Sequence, residues 1–285
     1  MAISRRHHYI PRFLIKNFAD NNGFLHVYNK EDKRIISNQS PKAVFFEMNR
    51  NVLNIHGTET DNIEKIYAEL DNKLALTLDR VLKTKVLTPE DLTGILLLVT
   101  TTKWRIPSND DEFNKIKEKT AYEDLPIKIT IKKDDGKDNQ EAFNHLINSD
   151  IFKESKRFIL PFLPFYKKEN LEELHKYSFI NTNDGITSLI GDSPLIESPN
   201  EDIHAIENFI FPLSNTDTFL YKKNTIGKIS NSIFYTNKDL AVFHLSKKYV
   251  ACKDKNHLEN IIKIYHQIEN DGNTEQIVPS LFKGI

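Results

Sequence analysis

Hydrophobic and polar positions along this chain change period several times, and each change marks an element. Pro11 opens the run Pro11-Arg-Phe-Leu-Ile-Lys-Asn-Phe18, and a proline at the first helical position predicts a short amphipathic helix. After the turn signal Asn21-Asn22-Gly23, the alternating run Phe24-Leu-His-Val-Tyr28, the turn 29–33 and Arg34-Ile-Ile-Ser37 predict a β-hairpin. From Asp61 the period becomes helical: Ile63, Ile66, Tyr67, Leu70, Leu74, Leu78, Val81 and Leu82 share one stripe, with Asp61 as cap and Glu64 three residues on. Thr88-Pro89-Glu90-Asp91 starts a second helix, apolar on most sides and therefore central. It should end near Trp104-Arg105-Ile106, because Pro107 disfavours helical backbone in the residue before it.

Residues 108–140 are mostly charged, with 132–138 reading as an exposed loop, and a further helix is expected over 141–158 before Pro161 and Pro164. The last hundred residues then turn β-rich. Short runs at 177–180, 187–190, 208–211, 218–221 and 249–252 are bounded by Asn, Gly, Asp or Pro, and Asn256 is positioned to cap a closing helix. No internal repeat occurs. The order predicts an α+β fold: an N-terminal hairpin and helical segment, then a β-rich part and a closing helix. A single domain over 1–285 is expected, divisible into a mainly helical part with the hairpin (1–168) and a β-rich part with the C-terminal helix (169–285).

Composition narrows the function classes. The 285 residues suffice for one sizeable core or two modest ones, and Lys+Arg (39) nearly cancel Asp+Glu (40), so no global field announces a polyanionic or membrane partner. A single cysteine, Cys252, excludes an intrachain disulfide framework and a Cys-rich zinc site. The longest uncharged apolar stretch, Leu92 to Thr102, falls well short of the ~20 residues of a membrane span. The start has no apolar signal-peptide core, so the expectation is a cytoplasmic protein with no membrane partner. Phosphate loops, dinucleotide fingerprints, zincin and nucleophile-elbow motifs are all missing from the sequence.

The densest chemistry is His7-His8-Tyr9-Ile10-Pro11 among Arg5, Arg6 and Arg12. Neighbouring side chains on a strand face opposite ways, so the two histidines do not bind one metal together. Like charge from the arginines favours a neutral imidazole, which can serve as general base or metal ligand while the arginines hold phosphate. The plainer alternative is a basic arm whose histidines make structural hydrogen bonds. Gly191-Asp192-Ser193-Pro194 presents a carboxylate after a short strand, as a metal ligand or acid/base group, or as an ordinary Asx turn. Lys103-Trp104-Arg105 at a helix end offers either an arginine clamp for an anion or simple complementation of the helix dipole. Ser214, after Phe211-Pro-Leu, exposes a hydroxyl at a strand end or merely begins a turn, and the remaining histidines are scattered.

These pieces together resemble the bacterial family catalogued as domain of unknown function 4238. The matching elements are His7-His8-Tyr9-Ile10-Pro11 through Phe18, Arg105-Ile-Pro107, Ile190-Gly-Asp-Ser-Pro194, Phe211-Pro-Leu-Ser214, and Asn237 ahead of Ser246-Lys-Lys-Tyr-Val250. Where that family usually carries a glutamine before Arg-x-Pro, this chain reads Thr100-Thr-Thr102. The resemblance implies one intact family member and no activity. His-His-x-Ile-Pro also looks like the first strand of ββα-metal nucleases, although no third metal histidine follows at the expected distance.

The resulting expectation is a hydrolase of nucleic-acid phosphodiesters, acting as a defence or toxin effector. His8 would be general base with His7 as substitute, and Asp192 a ligand for Mg²⁺ or Mn²⁺ or an orienting carboxylate. Arg12, Arg105 and Arg6 would clamp phosphate, and Ser214 and Asn237 would contact substrate. The alternative is a non-catalytic binding or regulatory module whose basic N-terminal segment docks nucleic acid or an acidic partner, or closes a homo-oligomer.

Overall fold

A computed structural model describes residues 3–55, 57–165, 168–183, 185, 187–198, 208–223 and 232–283. Strand β1 (Arg6–His8) and the short helix α1 (Arg12–Lys16) precede the hairpin of β2 (Leu25–Asn29) and β3 (Arg34–Gln39). β4 (Phe46–Met48) returns to pair antiparallel with β1, and β5 (Leu53–Ile55) with β6 (Thr58–Thr60) forms a small hairpin. Six helices follow: α2 (Asn62–Thr84), α3 (Pro89–Arg105), α4 (Asp110–Lys119), α5 (Gln140–Ile147), α6 (Asp150–Ile159) and α7 (Lys168–Tyr177). Then come β7 (Ser178–Thr182), β8 (Ile190–Gly191), β9 (Ile196–Glu197), β10 (Phe209–Pro212), β11 (Asp217–Tyr221), α8 (Ser232–Leu245), β12 (Tyr249–Cys252), α9 (Lys255–Asn270) and α10 (Ile277–Lys283). The fold is α+β.

Two antiparallel four-stranded sheets, ordered β7-β11-β10-β9 and β3-β2-β12-β8, lie between helical layers. Side-chain alternation decides what each face meets. Phe209, Phe211, Phe219 and Tyr221 join Leu14, Leu74, Leu78, Ile95 and Leu96 in one core. Ile210 and Leu220, one register step away, join Phe243, Val242, Leu258 and Ile261 in the other. Both faces of β10 and β11 are therefore buried, which is why these strands read as continuous apolar runs. The second sheet combines strands from residues 25–39 with strands from 190–252, so the helical and β-rich parts of the chain share their cores.

Local signals account for many boundaries. Thr88 accepts from the Asp91 amide and the Asp91 carboxylate accepts from the Thr88 amide, closing a full capping box on α3. Asp61 does not cap α2 through its side chain; it accepts from the Ser4 amide and pairs with Lys65. The closing helix starts two residues earlier than Asn256 predicts, because Asp254 is the cap and accepts from the amides of Asn256 and His257. Four helices fall outside the sequence expectation, α10 beyond the closing helix among them. α4 hides in the charged stretch, burying only Phe113 and Ile116 against Trp104 and Leu160. α7 lies beyond the Pro161/Pro164 break, and α8 is apolar around much of its circumference and shows no period to read. The helix expected over 141–158 is two, with Ser149 capping α6. Ile66, placed on the apolar stripe of α2, is exposed.

The Gly191-Asp192 element proves to be a joint between α8 and β12. A Cβ on Gly191 would stand 1.9 Å from Ser246 Oγ and 3.2 Å from Ser246 Cβ and Val242 Cγ1, so glycine makes room for the side chains that the end of α8 packs against the strand. Asp192 then accepts three backbone hydrogen bonds, from Lys247 to Oδ1 (2.8 Å) and from Lys248 and Tyr249 to Oδ2 (2.6 and 2.8 Å). Its buried carboxyl is pushed up by desolvation, while these three N–H groups hold the charged form against that push. Both oxygens of Asp192, the expected catalytic or metal-binding carboxylate, are engaged in joining the two segments. Gly191→Ala is expected to lower unfolding stability by about 1–3 kcal/mol, as overpacking does. Combining it with Ser246→Ala, which removes the clashing oxygen, should recover part of that loss in urea unfolding. Equal losses in the single and double variants would refute the steric account.

Candidate anion-binding cleft

The alternation of β1 separates the two histidines. His7 turns inward and is fully buried; its Nδ1 accepts from the Asn51 amide (2.8 Å) and its Nε2–H donates to the Ser4 carbonyl (2.9 Å). These partners specify one neutral tautomer, so His7 staples the N-terminal segment and has no nitrogen left for a substitute base. Arg6 and His8 face the other way, on either side of Phe46 across the β1–β4 ladder. The Arg6 guanidinium lies 4.2 Å from the Phe46 ring centroid, and the His8 and Phe46 centroids are 5.8 Å apart.

That second face forms one wall of a cleft of about 460 Å³, a size typical of a small-ligand site. Its lining includes Arg6, His8, Arg12, Lys42 and Arg105, and opposite them Glu64, Asp71 and Asn72 of α2. Arg105 is locked in place at the last turn of α3. The otherwise unpaired carbonyls of that helix end are taken by side chains: Lys103 O by Asn109 Nδ2 (2.8 Å), Trp104 O by Arg157 (2.6 Å), and Arg105 O by Arg50 Nε (3.0 Å). Asp110 in turn binds both Arg50 and Arg157. The Arg105 side chain is buried, donating from Nη1 to Asp71 Oδ1 (2.7 Å) and from Nη2 to the His8 carbonyl (2.8 Å), with its guanidinium 4.1 Å from the Tyr67 ring centroid.

Of the remaining cations, Arg12 and Lys42 are uncommitted. Among the described residues, the half-buried Arg12 has no hydrogen-bond or ion-pair partner and its Nε is shut off from solvent; Lys42 has none either, and Arg6 bonds only the Lys42 carbonyl (3.3 Å). His8 Nε2 is likewise buried and unbonded. Burial first, then the charges of Arg12 and Arg105, depress the His8 imidazole to about 4, with the Lys42 and Pro41 carbonyls pulling weakly the other way. His8 is neutral at pH 7. A net-cationic cleft with an uncharged imidazole and unpaired guanidinium groups is suited to an oxyanion.

The structure thus brings His8, Arg6, Arg12 and Arg105 together and leaves the other predicted positions elsewhere. Ser214 donates to Asp217 Oδ2 (2.7 Å) inside the β10–β11 turn, where Asp217 also pairs with Lys85. Asn237 lines a separate cavity of about 210 Å³ between α8, α9 and α10. His56 and His204 lie outside the described residues. No group of three or more His, Cys, Asp or Glu suited to a metal occurs among the described residues, and no described helix is long and apolar enough to cross a membrane.

Sequence reasoning missed Lys42, Glu64, Asp71 and Asn72. A signal existed for the α2 wall: Glu64, Ala68, Asp71, Asn72 and Ala75 recur at i, i+4, i+7, i+8 and i+11, a polar and small stripe beside the apolar one. No pattern announced that Asp71 would meet Arg105, 34 residues away.

Comparison with known proteins adds a family. The model of a family described as a protein of unknown function (DUF4238) matches residues 6–251, most of the chain. No curated protein and no solved structure matches.

Proposed function

Because the chain belongs to the DUF4238 family, whose description names no activity, we propose its function from the cleft itself: it binds nucleic-acid phosphodiesters there and hydrolyses them with His8 as general base. One observation carries the reading. Arg12 holds a half-buried guanidinium beside His8 with no partner among the described residues, and such a charge is costly unless an anion visits it. Arg6, Lys42 and Arg105 extend the same site, giving a phosphate group donors from several directions.

In this mechanism His8 takes a proton from water as the water oxygen attacks phosphorus. The P–O ester bond breaks, and the departing oxygen takes up a proton. The charge of the bound phosphate offsets the fields of Arg12 and Arg105, so the imidazole becomes a stronger base once substrate is present. Among the described residues, the carboxylates lining the cleft are Glu64 and Asp71, and each gives one oxygen to a protein partner. A second reading, binding without cleavage, is favoured by the shielding of His8 Nε2 and by the weak basicity of the imidazole in the free protein.

Wild type and His8→Ala, incubated with mixed RNA and DNA in Mg²⁺, Mn²⁺ or EDTA, separate these readings. Hydrolysis predicts that wild type cuts and that His8→Ala loses about a hundredfold or more in rate with unchanged circular dichroism. Cutting by His8→Ala at the wild-type rate would remove His8 from the reaction. Strand binding by a wild type that never cuts would select the binding module.

A further inference from the structure

The cationic wall recognises phosphate, and phosphate is common to DNA and RNA. The facing wall is different. Glu64 and Asp71 project from one stripe of α2 into the same cleft, which places two carboxylates where a polyanion is to bind. Each has one oxygen committed to the protein: Asp71 Oδ1 accepts from Arg105 (2.7 Å), and Glu64 Oε2 accepts from Asn51 Nδ2 (2.9 Å). Asp71 Oδ2 and Glu64 Oε1 have no hydrogen-bond partner among the described residues. Two uncommitted acceptors beside an anion repel it unless the ligand carries a hydrogen-bond donor close to its phosphate.

We infer that the strand taken by this cleft is RNA, with the ribose 2′-hydroxyl donating to Asp71 or Glu64 while the neighbouring phosphate lies on Arg6, Arg12 and Lys42; this rests on the phosphodiester reading above. The 2′-hydroxyl is the donor that every RNA nucleotide carries on its sugar, close to the phosphate and independent of the base. DNA lacks it. Arg105 fixes the relation of the two walls, because one guanidinium holds both Asp71 and the His8 carbonyl. Ala68 and Ala75, between and beyond the two acids, leave the α2 wall without a large side chain that would keep a sugar at a distance.

The test uses fluorescence anisotropy with labelled single strands of one sequence as RNA, DNA and 2′-O-methyl RNA, in EDTA at constant salt. Wild type is expected to bind or cut RNA at least about tenfold better than DNA, with 2′-O-methyl RNA behaving as DNA, since a hydrogen bond to a charged group discriminates by about that factor. Glu64→Gln and Asp71→Asn are expected to close the gap between RNA and DNA to within about threefold, because the acceptor of the 2′-hydroxyl loses its charge and the repulsion felt by DNA is relieved. Asp71→Asn also touches Arg105, so Glu64→Gln supplies a variant that leaves that contact alone; thermal melts check both folds. Equal affinities for the three strands, or a preference for DNA, overturn the inference and leave the phosphodiester reading standing. An RNA preference that both variants retain overturns the assignment to these carboxylates. Failure to bind any strand overturns both.

Discussion

Arg105→Met is expected to lower unfolding stability by about 3 kcal/mol, at the low end of the cost of breaking a buried ion pair, and to weaken phosphate-strand binding about tenfold or more. Methionine keeps much of the volume against Tyr67 but removes the charge. Asp71 then loses its partner, and the His8 carbonyl loses its donor at 2.8 Å. The cost sits at the low end because the Asp71 side chain keeps about a fifth of its exposure (21%) and can be partly hydrated, whereas Arg105 is 3% exposed. Ligand affinity suffers for a second reason: one of the cations lining the cleft is gone, and the strand holding His8 is no longer tied to α3. Arg105→Met combined with Asp71→Asn should be more stable than the sum of the single losses implies, since no uncompensated carboxylate remains. Urea unfolding of the four proteins measures this directly. A single variant within about 0.5 kcal/mol of wild type would show that the pair does not hold the walls together, since buried pairs cost several times that to break.

Acid should destabilise the protein through His8 over a defined window. The folded chain protonates this imidazole at about 4, whereas an unfolded histidine does so near the ordinary value of 6.5. As pH falls from about 6.5 towards 4, the unfolded chain takes up a proton that the folded chain refuses, so stability present above that window is lost within it. Allowing for the partial exposure of the ring, the loss attributable to His8 is about 2 kcal/mol. His8→Gln, which has no titration there, should lose that much less stability between pH 7 and pH 4 than wild type in parallel urea unfolding. Contributions from acids such as Asp110 and Asp217, whose carboxyls are held low against burial by Arg50 and Arg157 and by Lys85 with the Ser214, Thr182 and Thr216 hydroxyls respectively, are common to both proteins and cancel. Parallel pH profiles for the two proteins would mean that Arg12, Arg105 and burial do not depress His8.

Much of the framework was legible before any coordinates. Thr88-Pro89-Glu90-Asp91 is a helix start by local chemistry alone, and its capping box forms as the spacing requires. The β2–β3 hairpin, the apolar stripe of α2 and the period-two split of His7 from His8 likewise follow from backbone geometry that operates over a few residues. The grouping of His8, Arg12 and Arg105 rested on chemical type, and the cleft does contain all three. Local rules failed where their signal was absent or ambiguous. α8 is buried around much of its surface, so it has no polar face to reveal a period. α4 buries only two side chains amid ten mostly charged residues, too few to mark a stripe. Gly191-Asp192 reads equally as a site or a joint until Ser246 and the 247–249 amides are seen against it.

The sequence by itself determined the α+β class, the family, the element boundaries with strong caps, and the basic, histidine-bearing character of the first segment, because each depends on neighbours along the chain. The tertiary structure alone decided which histidine is free, that Asp71 rather than Asp192 stands in the cleft with it, and that Arg12 is left without a partner. Those outcomes depend on which groups from α2, α3 and β4 arrive within hydrogen-bond distance of β1. Packing sets that distance, and no spacing in the sequence encodes it.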